Sequence, residues 1–273
     1  MGAAPARTRI APTPSGFLHA GNAINFLLTQ AIAQREGASI LLRIDDLDAE
    51  RMRPDYVEDI FASLAWLGIP WNDGPRSIGD LEQRWSQRLR VPRYNALIDR
   101  LAEARVLYAC TCSRKQVGTC PHRDLDLPMD TPDATWRLRI PDGSTVDLLR
   151  WPHGAVRLQV DDLISDPVIR QRTGMPAYQV ASLADDLDHG IGLVVRGMDL
   201  LPSTACQLYM AHVLGEEGFL RVRCVHHALV TDDHGAKLAK SAGAASLRAM
   251  RERGEGPELL RAKAQRLLDE LLS

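Results

Sequence analysis

The 273-residue sequence predicts an α/β fold with a parallel sheet, divided by a small α+β insertion. Near both ends of the chain, short apolar runs typical of buried strands alternate with stretches that carry apolar residues at helical spacing. Between them, residues 134–160 alternate polar and apolar side chains with a period of two, as antiparallel strands with one exposed face do. We therefore expect a first half at 1–105, an insertion at 106–175 and a second half at 176–273.

Composition and charge are those of an ordinary globular protein. The chain is 45% hydrophobic and 25% charged, with a formal net charge of −2. This balance argues against a generally cationic nucleic-acid binder, although residues 84–93 (RWSQRLRVPR) could form a local basic patch. There is no run of about eighteen apolar residues for a membrane span, and the N-terminal segment lacks the apolar core of a secretory signal. We expect a cytoplasmic monomer without membrane contact.

The first element is a short strand followed by a loop and a helix, within Arg9–Asn22 (RIAPTPSGFLHAGN). Two prolines and a glycine prevent regular structure in the loop, and helical periodicity resumes near Gly21. Strand, loop and helix in this order build phosphate sites in α/β proteins, because the N–H groups of the helix start face the anion. His19 would add a donor there. The alternative is an ordinary loop whose histidine is buried before a helix.

The second apolar run, residues 38–44, ends at a cluster of acids, Asp45, Asp46 and Asp48. This pattern indicates a parallel strand that delivers carboxylates at its carboxyl end, where ligands of open α/β sheets bind. Asp45 and the loop holding His19 could therefore line one crevice. Alternatively, the acids cap the helix that follows Pro54.

Two helices are expected next. Residues 55–67 have apolar side chains at helical spacing and are followed by Gly68, a stop signal. Residues 83–104 form the second, which we expect to be broken or bent near Pro92.

The insertion begins with a pattern typical of metal ligands. Cys110 and Cys112 are two residues apart, and Cys120 and His122 repeat this spacing after a short loop. Three sulfurs and one imidazole form a closed tetrahedral set for structural zinc, and five cysteines in a reducing compartment favour metal binding or burial over disulfides. The alternative is three buried thiols beside an unrelated surface histidine.

After the insertion, helix, strand and helix return over residues 176–204, and Cys206 and Cys224 are expected in the core. A glycine-flanked loop then carries Lys237, Lys240 and Ser241. Lysines on such a loop can follow phosphate charge as it redistributes during transfer. The alternative is a solvated basic loop.

Taken together, these segments resemble a known family. The loop at 9–22, LLRIDDLD, the Cys/His set, PAYQVASLADDLDHGI with VVRGMDLLPST, and KLAKS stand in the order found in glutamyl-tRNA synthetases, which belong to class I of the aminoacyl-tRNA synthetases. The resemblance covers about residues 7–243 and implies a Rossmann-type catalytic domain split by a zinc-containing insertion. Only about 30 residues follow Ser241, so the chain looks like the truncated group that attaches glutamate to queuosine in the anticodon of tRNA(Asp).

The resemblance also implies roles for individual residues. ATP, with Mg²⁺ on its phosphates, would bind to His19, Gly21, Asn22, Lys237, Lys240 and Ser241. Three of these residues would be catalytic, namely His19, Lys237 and Lys240. L-Glutamate would be surrounded by Arg9, Thr13, Asp45, Tyr178 and Arg196. Arg196 would favour glutamate over glutamine. Asp45 departs from the family, which usually has Glu at this position.

Two other functions remain open at this stage. An adenylate-forming paralogue could load a small amine, a carrier protein or tRNA(Glu), because only the acceptor would differ. A non-catalytic tRNA-binding paralogue is the second alternative, although it would be expected to have lost His19, Lys240 or Arg196. For a tRNA partner, the predicted phosphate contacts are Arg84, Arg88, Arg90 and Arg93, for which a solvated helix face is the alternative.

Overall fold

The computed structural model of the protein describes residues 7–112, 120–229 and 246–273. Lys237, Lys240 and Ser241 lie outside the described residues. The chain divides into two compact units: the first comprises Met1–Leu89, Ile191–Asp199 and Arg223–Ser273, and the second comprises Arg90–Gly190 and Leu200–Val222. The predicted insertion at 106–175 falls within the second unit, and its boundaries stay a prediction.

The elements confirm the predicted α/β class. The strands are β1 (Arg7–Ile10), β2 (Ser39–Leu42), β3 (Leu107–Cys110), β4 (Thr135–Leu138), β5 (Thr145–Arg150), β6 (Ala155–Gln159), β7 (Val168–Arg170), β8 (Leu193–Gly197) and β9 (Arg223–His227). The helices are α1 (Ala20–Glu36), α2 (Pro54–Leu67), α3 (Ile78–Asp80), α4 (Val91–Glu103), α5 (Val160–Leu163), α6 (Tyr178–Asp188), α7 (Leu201–Leu214), α8 (Glu217–Leu220), α9 (Leu247–Glu252) and α10 (Glu258–Leu272).

The first unit is built on parallel strand pairs. β1 pairs with β2 and β8 pairs with β9, each in parallel. The start of β8 lies beside the start of β1, because the N–H of Gly192 donates to the carbonyl of Arg7 at 2.9 Å. Helix α1 packs against β1, β2 and β8, and α10 packs against α1. Within each pair the carboxyl ends therefore lie at one edge, which is where sequence reasoning placed the site.

The helix stop predicted at Gly68 is confirmed. Helix α2 ends at Gly68, whose φ of 65° lies in the left-handed region that favours glycine. Helix α1 ends in the same way at Gly37, with a φ of 62°. These glycines let the chain leave each helix sharply and enter the next segment of the unit.

The helix predicted for residues 83–104 is divided into separate helical segments. Helix α4 begins at Val91, with Pro92 in its first turn, where proline is tolerated because it lacks an N–H that would be unsatisfied anyway. Residues 81–90 form short helical turns instead. The break expected near Pro92 is confirmed, since this proline lies in the first turn of a new helix.

The second unit holds the antiparallel strands. β4 lies between β3 and β7, and β5 and β6 form a hairpin. The strands predicted from the alternating pattern are confirmed, with residues facing the core at Leu138, Val146 and Leu148. Helices α4, α6 and α7 pack against one another in this unit. Over the described ranges of both units, we find no helix with the length and apolar character that a bilayer span requires.

Candidate functional site

The loop after β1 ends in a capping box at the start of α1. The N–H of Gly21 donates to Nδ1 of His19 at 3.2 Å, and the N–H of His19 donates to the side-chain oxygen of Asn22 at 3.1 Å. The structure thus brings together three of the predicted ATP-binding residues at the positive end of a 17-residue helix. It also gives His19 and Asn22 a structural task, because they satisfy backbone donors that the helix leaves open.

Ser246, the residue before α9, lies beside the start of α1. Ser246 forms an antiparallel bridge with His19, and the N–H of Leu247 donates to the carbonyl of Leu18 at 2.8 Å. Ser246 follows Ser241 by five positions in the sequence. The start of α9 therefore lies against the loop that precedes α1.

Two predicted substrate-binding arginines are buried in the parallel strands. Arg9 of β1 is 4% exposed and Arg196 of β8 is 3% exposed. A guanidinium presents a planar fork of donors that matches a carboxylate, and its charge is retained on burial. Thr13 lies in the loop after β1 and is exposed. Arg9 and Thr13 thus come from β1 and the loop that follows it, and Arg196 comes from β8.

Asp45 is paired with an arginine that sequence reasoning missed. Nε of Arg43 donates to Oδ1 of Asp45 at 2.6 Å, and Nη2 donates to Oδ2 at 3.2 Å. Arg43 and Asp45 are both buried. The signal was present in the sequence, since side chains two residues apart on an extended segment point to the same face.

The neighbouring Asp46 has a different task. Its carboxylate accepts a hydrogen bond from the Ser86 hydroxyl at 2.6 Å and another from the N–H of Gln87 at 2.7 Å. The alternative that Asp45, Asp46 and Asp48 cap the helix after Pro54 is wrong: the residue before α2 is Arg53, and it makes no side-chain cap bond.

A second missed contact lies at the end of β9. Nε2 of His227 is 2.9 Å from the side-chain nitrogen of Asn25, and its Nδ1 is 2.8 Å from the carbonyl of Ala228. Burial lowers the pKa of His227, although the Ala228 carbonyl and Asp199 act in the opposite direction. A neutral ring with its proton on Nδ1 satisfies both contacts, because it donates to Ala228 and accepts from Asn25.

Tyr178 is the first residue of α6, in the second unit, and is 39% exposed. Its proposed contact with the amino acid stays a prediction.

The four predicted zinc ligands lie together. The sulfur of Cys120 is 3.2 Å from that of Cys110 and 3.6 Å from that of Cys112, and Nδ1 of His122 is 3.1 Å from the sulfur of Cys112. All four ligand atoms lie within 4.8 Å of one another. Tetrahedral zinc with Zn–S bonds of about 2.3 Å places sulfurs about 3.8 Å apart. The donor set and its spacing therefore fit a structural zinc ion.

The thiols in this cluster perturb one another. Burial would raise the pKa of Cys110, but hydrogen bonds from Cys120, Cys112 and His122 outweigh it and lower the pKa to about 6. Burial, together with the hydrogen bonds and charges of Cys120 and Cys110, raises the pKa of Cys112 to about 11. Thiols this close resist ionising together, so a cation is what would hold all three as thiolates.

Two further residues contact the predicted zinc ligands. The Thr111 hydroxyl is 3.3 Å from Nε2 of His122, the ring nitrogen that points away from the sulfurs. Arg172 donates to the carbonyls of Thr111 and Cys112, both at 2.8 Å. Such outer contacts orient the ligands of a metal site. Cys206 and Cys224 are buried in α7 and β9, as expected.

The predicted RNA-contacting arginines separate into two groups. Arg90 donates to Asp185 at 2.7 Å and to Asp188 at 2.6 Å, and Arg93 makes a fork with Asp188. Arg84 is exposed, and Arg88 lies 3.6 Å from Asp46. Because acidic partners already hold Arg90 and Arg93, these two side chains are less suited to phosphate than the sequence suggested.

Comparison with known proteins identifies the family. The model of the catalytic domain of class I tRNA synthetases for glutamate and glutamine (E and Q) matches residues 5–130 and 126–268. The chain belongs to this family. It is therefore a class I synthetase-type ligase, and the resemblance that the sequence motifs indicated is confirmed.

Individual members of the family show which proteins this chain is similar to. The chain is 35% identical to a glutamyl-Q tRNA(Asp) synthetase from Nitratidesulfovibrio vulgaris, covering 91% of this chain and 82% of the relative. It is 33% identical to a glutamate–tRNA ligase from Synechococcus, over 93% of this chain but 55% of the relative. The glutamate–tRNA synthetase of Elizabethkingia anophelis superposes with a TM-score of 0.72 at 23% identity, over 92% of this chain and 54% of that one, which shows a shared fold.

Proposed function

We propose that this class I synthetase activates L-glutamate with ATP and transfers the glutamyl group to queuosine in the anticodon of tRNA(Asp). The observation that carries the first half is the burial of Arg9 and Arg196 in parallel strands, next to a helix start suited to phosphate. Two buried guanidinium groups suit a dicarboxylate, because each can bind one carboxylate through paired hydrogen bonds.

The activation step needs no protein nucleophile. An oxygen of the glutamate α-carboxylate attacks the α-phosphorus of ATP, the bond to the β-phosphate oxygen breaks, and pyrophosphate leaves. The protein aligns two anions and stabilises the added charge at phosphorus. We assign ATP binding to the start of α1 with His19, Gly21 and Asn22, and phosphate binding to Lys237 and Lys240 with Ser241. Mg²⁺ bound to ATP would neutralise the leaving pyrophosphate.

The transfer step releases AMP. A nucleophile of the acceptor attacks the carbonyl carbon of glutamyl-adenylate, and the bond to the phosphate oxygen breaks. The support for queuosine as the acceptor is the 35% identity to relatives named glutamyl-Q tRNA(Asp) synthetase, of which the chain covers 82% and 87%. An anticodon loop that presents one unstacked modified base is a compact target for stacking and edge hydrogen bonds.

A bound zinc ion would have a structural role. Cys110, Cys112, Cys120 and His122 would hold it, and four protein ligands leave no position for a reacting water. When bound, the ion would supply a rigid crosslink within the second unit.

One experiment tests both halves. The protein is given labelled glutamate and ATP with tRNA that bears or lacks queuosine, and the label is located on the RNA; pyrophosphate exchange is measured separately without tRNA. We expect glutamate-dependent exchange and label on the anticodon of queuosine-containing tRNA(Asp). Label at the 3′ end of tRNA(Glu), or adenylate without labelled RNA, would overturn the acceptor. Absence of exchange would overturn the activation step.

A further inference from the structure

Arg251 of α9 joins this helix to α2 through two buried acceptors. Nη2 of Arg251 donates to Oδ1 of Asp59 at 2.6 Å, and Nη1 donates to the Ser63 hydroxyl at 2.7 Å. Asp59 is 4% exposed and Ser63 is fully buried. These two residues are four positions apart on α2, so their side chains lie on the same face of that helix. The guanidinium of Arg251 therefore contacts two successive turns of α2.

The beginning of α9 contacts a different part of the first unit, the loop that precedes α1. The N–H of Leu247 donates to the carbonyl of Leu18 at 2.8 Å, and Leu247 is fully buried. Ser246 forms a bridge with His19 and also caps α9, because its hydroxyl accepts from the N–H of Ala249 at 3.1 Å. Helix α9 thus contacts the loop at its start and α2 near its end.

The position of α9 depends on these contacts. The helix has six residues, too few to be stable without packing against its surroundings. Burial of Leu247 is favourable but non-directional, so it permits α9 to slide. The hydrogen bonds of Arg251 are directional, because two nitrogens of one planar group are bonded to acceptors at fixed places on α2. Arg251 therefore determines where α9 lies along α2.

We propose that Arg251 is a positioning residue for ATP: by fixing α9 on α2, it fixes the backbone at Leu18 and His19 and thereby the loop that leads into α1. This inference rests on the proposed activation of glutamate with ATP. The N–H groups at the start of α1 must face the phosphates, so a small displacement of this loop weakens binding. Glutamate is assigned to other residues, on β1, β8 and the segment after β2, and the effect should therefore be selective for ATP.

The test separates the affinity for ATP from the stability of the fold. The dissociation constant for ATP with Mg²⁺ is measured by calorimetry on the full chain without glutamate. The KM values for ATP and for glutamate are measured by pyrophosphate exchange, well below the melting temperature of each variant. We expect Arg251→Gln to raise the dissociation constant and the KM for ATP about tenfold and to leave the KM for glutamate unchanged. A merely structural role would lower the melting temperature without changing either KM.

Two milder variants keep the test decisive if Arg251→Gln does not fold. Ser63→Ala keeps the ion pair with Asp59 and removes one hydrogen bond, so it should raise the dissociation constant for ATP about threefold. Arg251→Lys keeps the charge but cannot present two nitrogens in one plane, and it should have a similar effect. Adding Ser63→Ala to Arg251→Gln should have little further effect, because both changes act on one contact.

Hydrogen exchange provides a readout that does not depend on ATP. The amide of Leu247 is protected by the carbonyl of Leu18, and it should exchange faster in Arg251→Gln than in the wild type. The amides that join β8 to β9 should keep their protection, because these strands do not contain the substituted contact. Unchanged exchange at Leu247 would contradict the proposal, since α9 would then hold its place without Arg251.

Arg253→Gln is the matched control, because it makes the same change two residues further on. Arg253 pairs with Glu255 at the surface, and its loss should leave the affinity for ATP unchanged. Equal affinity for ATP in the wild type and in the folded Arg251 variants would overturn the positioning role, as would an equal rise in both KM values. If the wild type itself binds no ATP, the proposed function fails, and this inference fails with it.

Discussion

The side-chain nitrogen of Asn25 lies 2.9 Å from Nε2 of His227, which links α1 to the end of β9. The other ring nitrogen of His227 is engaged by the carbonyl of Ala228. A neutral ring satisfies both contacts, whereas a protonated ring would turn its Nε2–H toward the amide donor of Asn25. The link therefore depends on the protonation state of one buried histidine.

This link predicts a pH-dependent stability. Because burial lowers the pKa of His227 in the folded state, the unfolded chain binds more protons, and the contribution of this group falls as pH drops through about 6.5. His227→Gln removes the titrating group. The difference in melting temperature between the wild type and this variant should be constant above about pH 7 and should shift against the wild type toward pH 5. A difference that stays constant over the whole range would contradict the assignment.

Substitutions at His19 should separate its role as a helix cap from its role in ATP binding. His19→Ala should destabilise the protein by about 1 kcal/mol, because α1 loses its cap. His19→Asn should restore the melting temperature, since Asn caps well, but it lacks the imidazole. We expect pyrophosphate exchange to stay low in His19→Asn. Recovery of both stability and exchange would mean that His19 serves only as a cap.

We expect Arg196 to determine the preference for glutamate over glutamine. Arg196→Gln should lower kcat/KM for glutamate in pyrophosphate exchange by about 100-fold, the scale of losing a charged hydrogen-bonding partner. The KM for ATP should change little, because ATP is assigned to the start of α1. An unchanged preference for glutamate over glutamine would contradict the role of Arg196.

The Cys/His cluster predicts one zinc ion per chain. Elemental analysis of protein purified without chelator should give a ratio near one, and Cys112→Ser should reduce both the zinc content and the melting temperature. Cys206→Ala is the control, because Cys206 is buried in α7 away from the cluster and should keep its zinc. Wild-type protein free of zinc and equally stable would argue against the metal.

The basic segment at 84–93 predicts unequal effects on RNA binding. Arg84→Gln should reduce the slope of log K against log salt by about 1, because one phosphate contact is lost. Arg93→Gln should leave the slope unchanged and cost less than about 1 kcal/mol of stability, since its partner is the partly exposed Asp188. Equal slopes for the wild type and both variants would place the RNA elsewhere.

The sequence predicted most elements of the fold because local patterns determine them. The apolar runs before Asp45 and the stop at Gly68 act within a few residues, and both agree with the structure. Pro92 predicted the break before α4, but not the turns that precede it, which are held by Asp46, 40 residues away from Ser86. A contact of that range leaves no periodic signal.

The residues of the site could be predicted from the sequence. The side chains that contact them were harder to predict. The ligand spacing of the Cys/His set was sufficient to place all four residues together. The partners of Asp45 and His227 were not predicted, because Arg43 reads as the end of an apolar run and Asn25 as one polar residue in a helix. Arg90 and Arg93 were taken as candidates for phosphate, since the acids on α6 that hold them lie 95 or more positions along the chain.

Asp45 and Asp46 make contacts on opposite faces of the segment that follows β2. We therefore expect this segment not to tolerate changes in length. On an extended chain, adjacent side chains point to opposite faces. Asp45 meets Arg43 on one face, and Asp46 meets Ser86 and Gln87 on the other. Inserting or deleting a single residue between Leu42 and Asp45 would rotate both carboxylates to the wrong side at once. Relatives should therefore vary in residue type along this segment far more readily than in its number of residues.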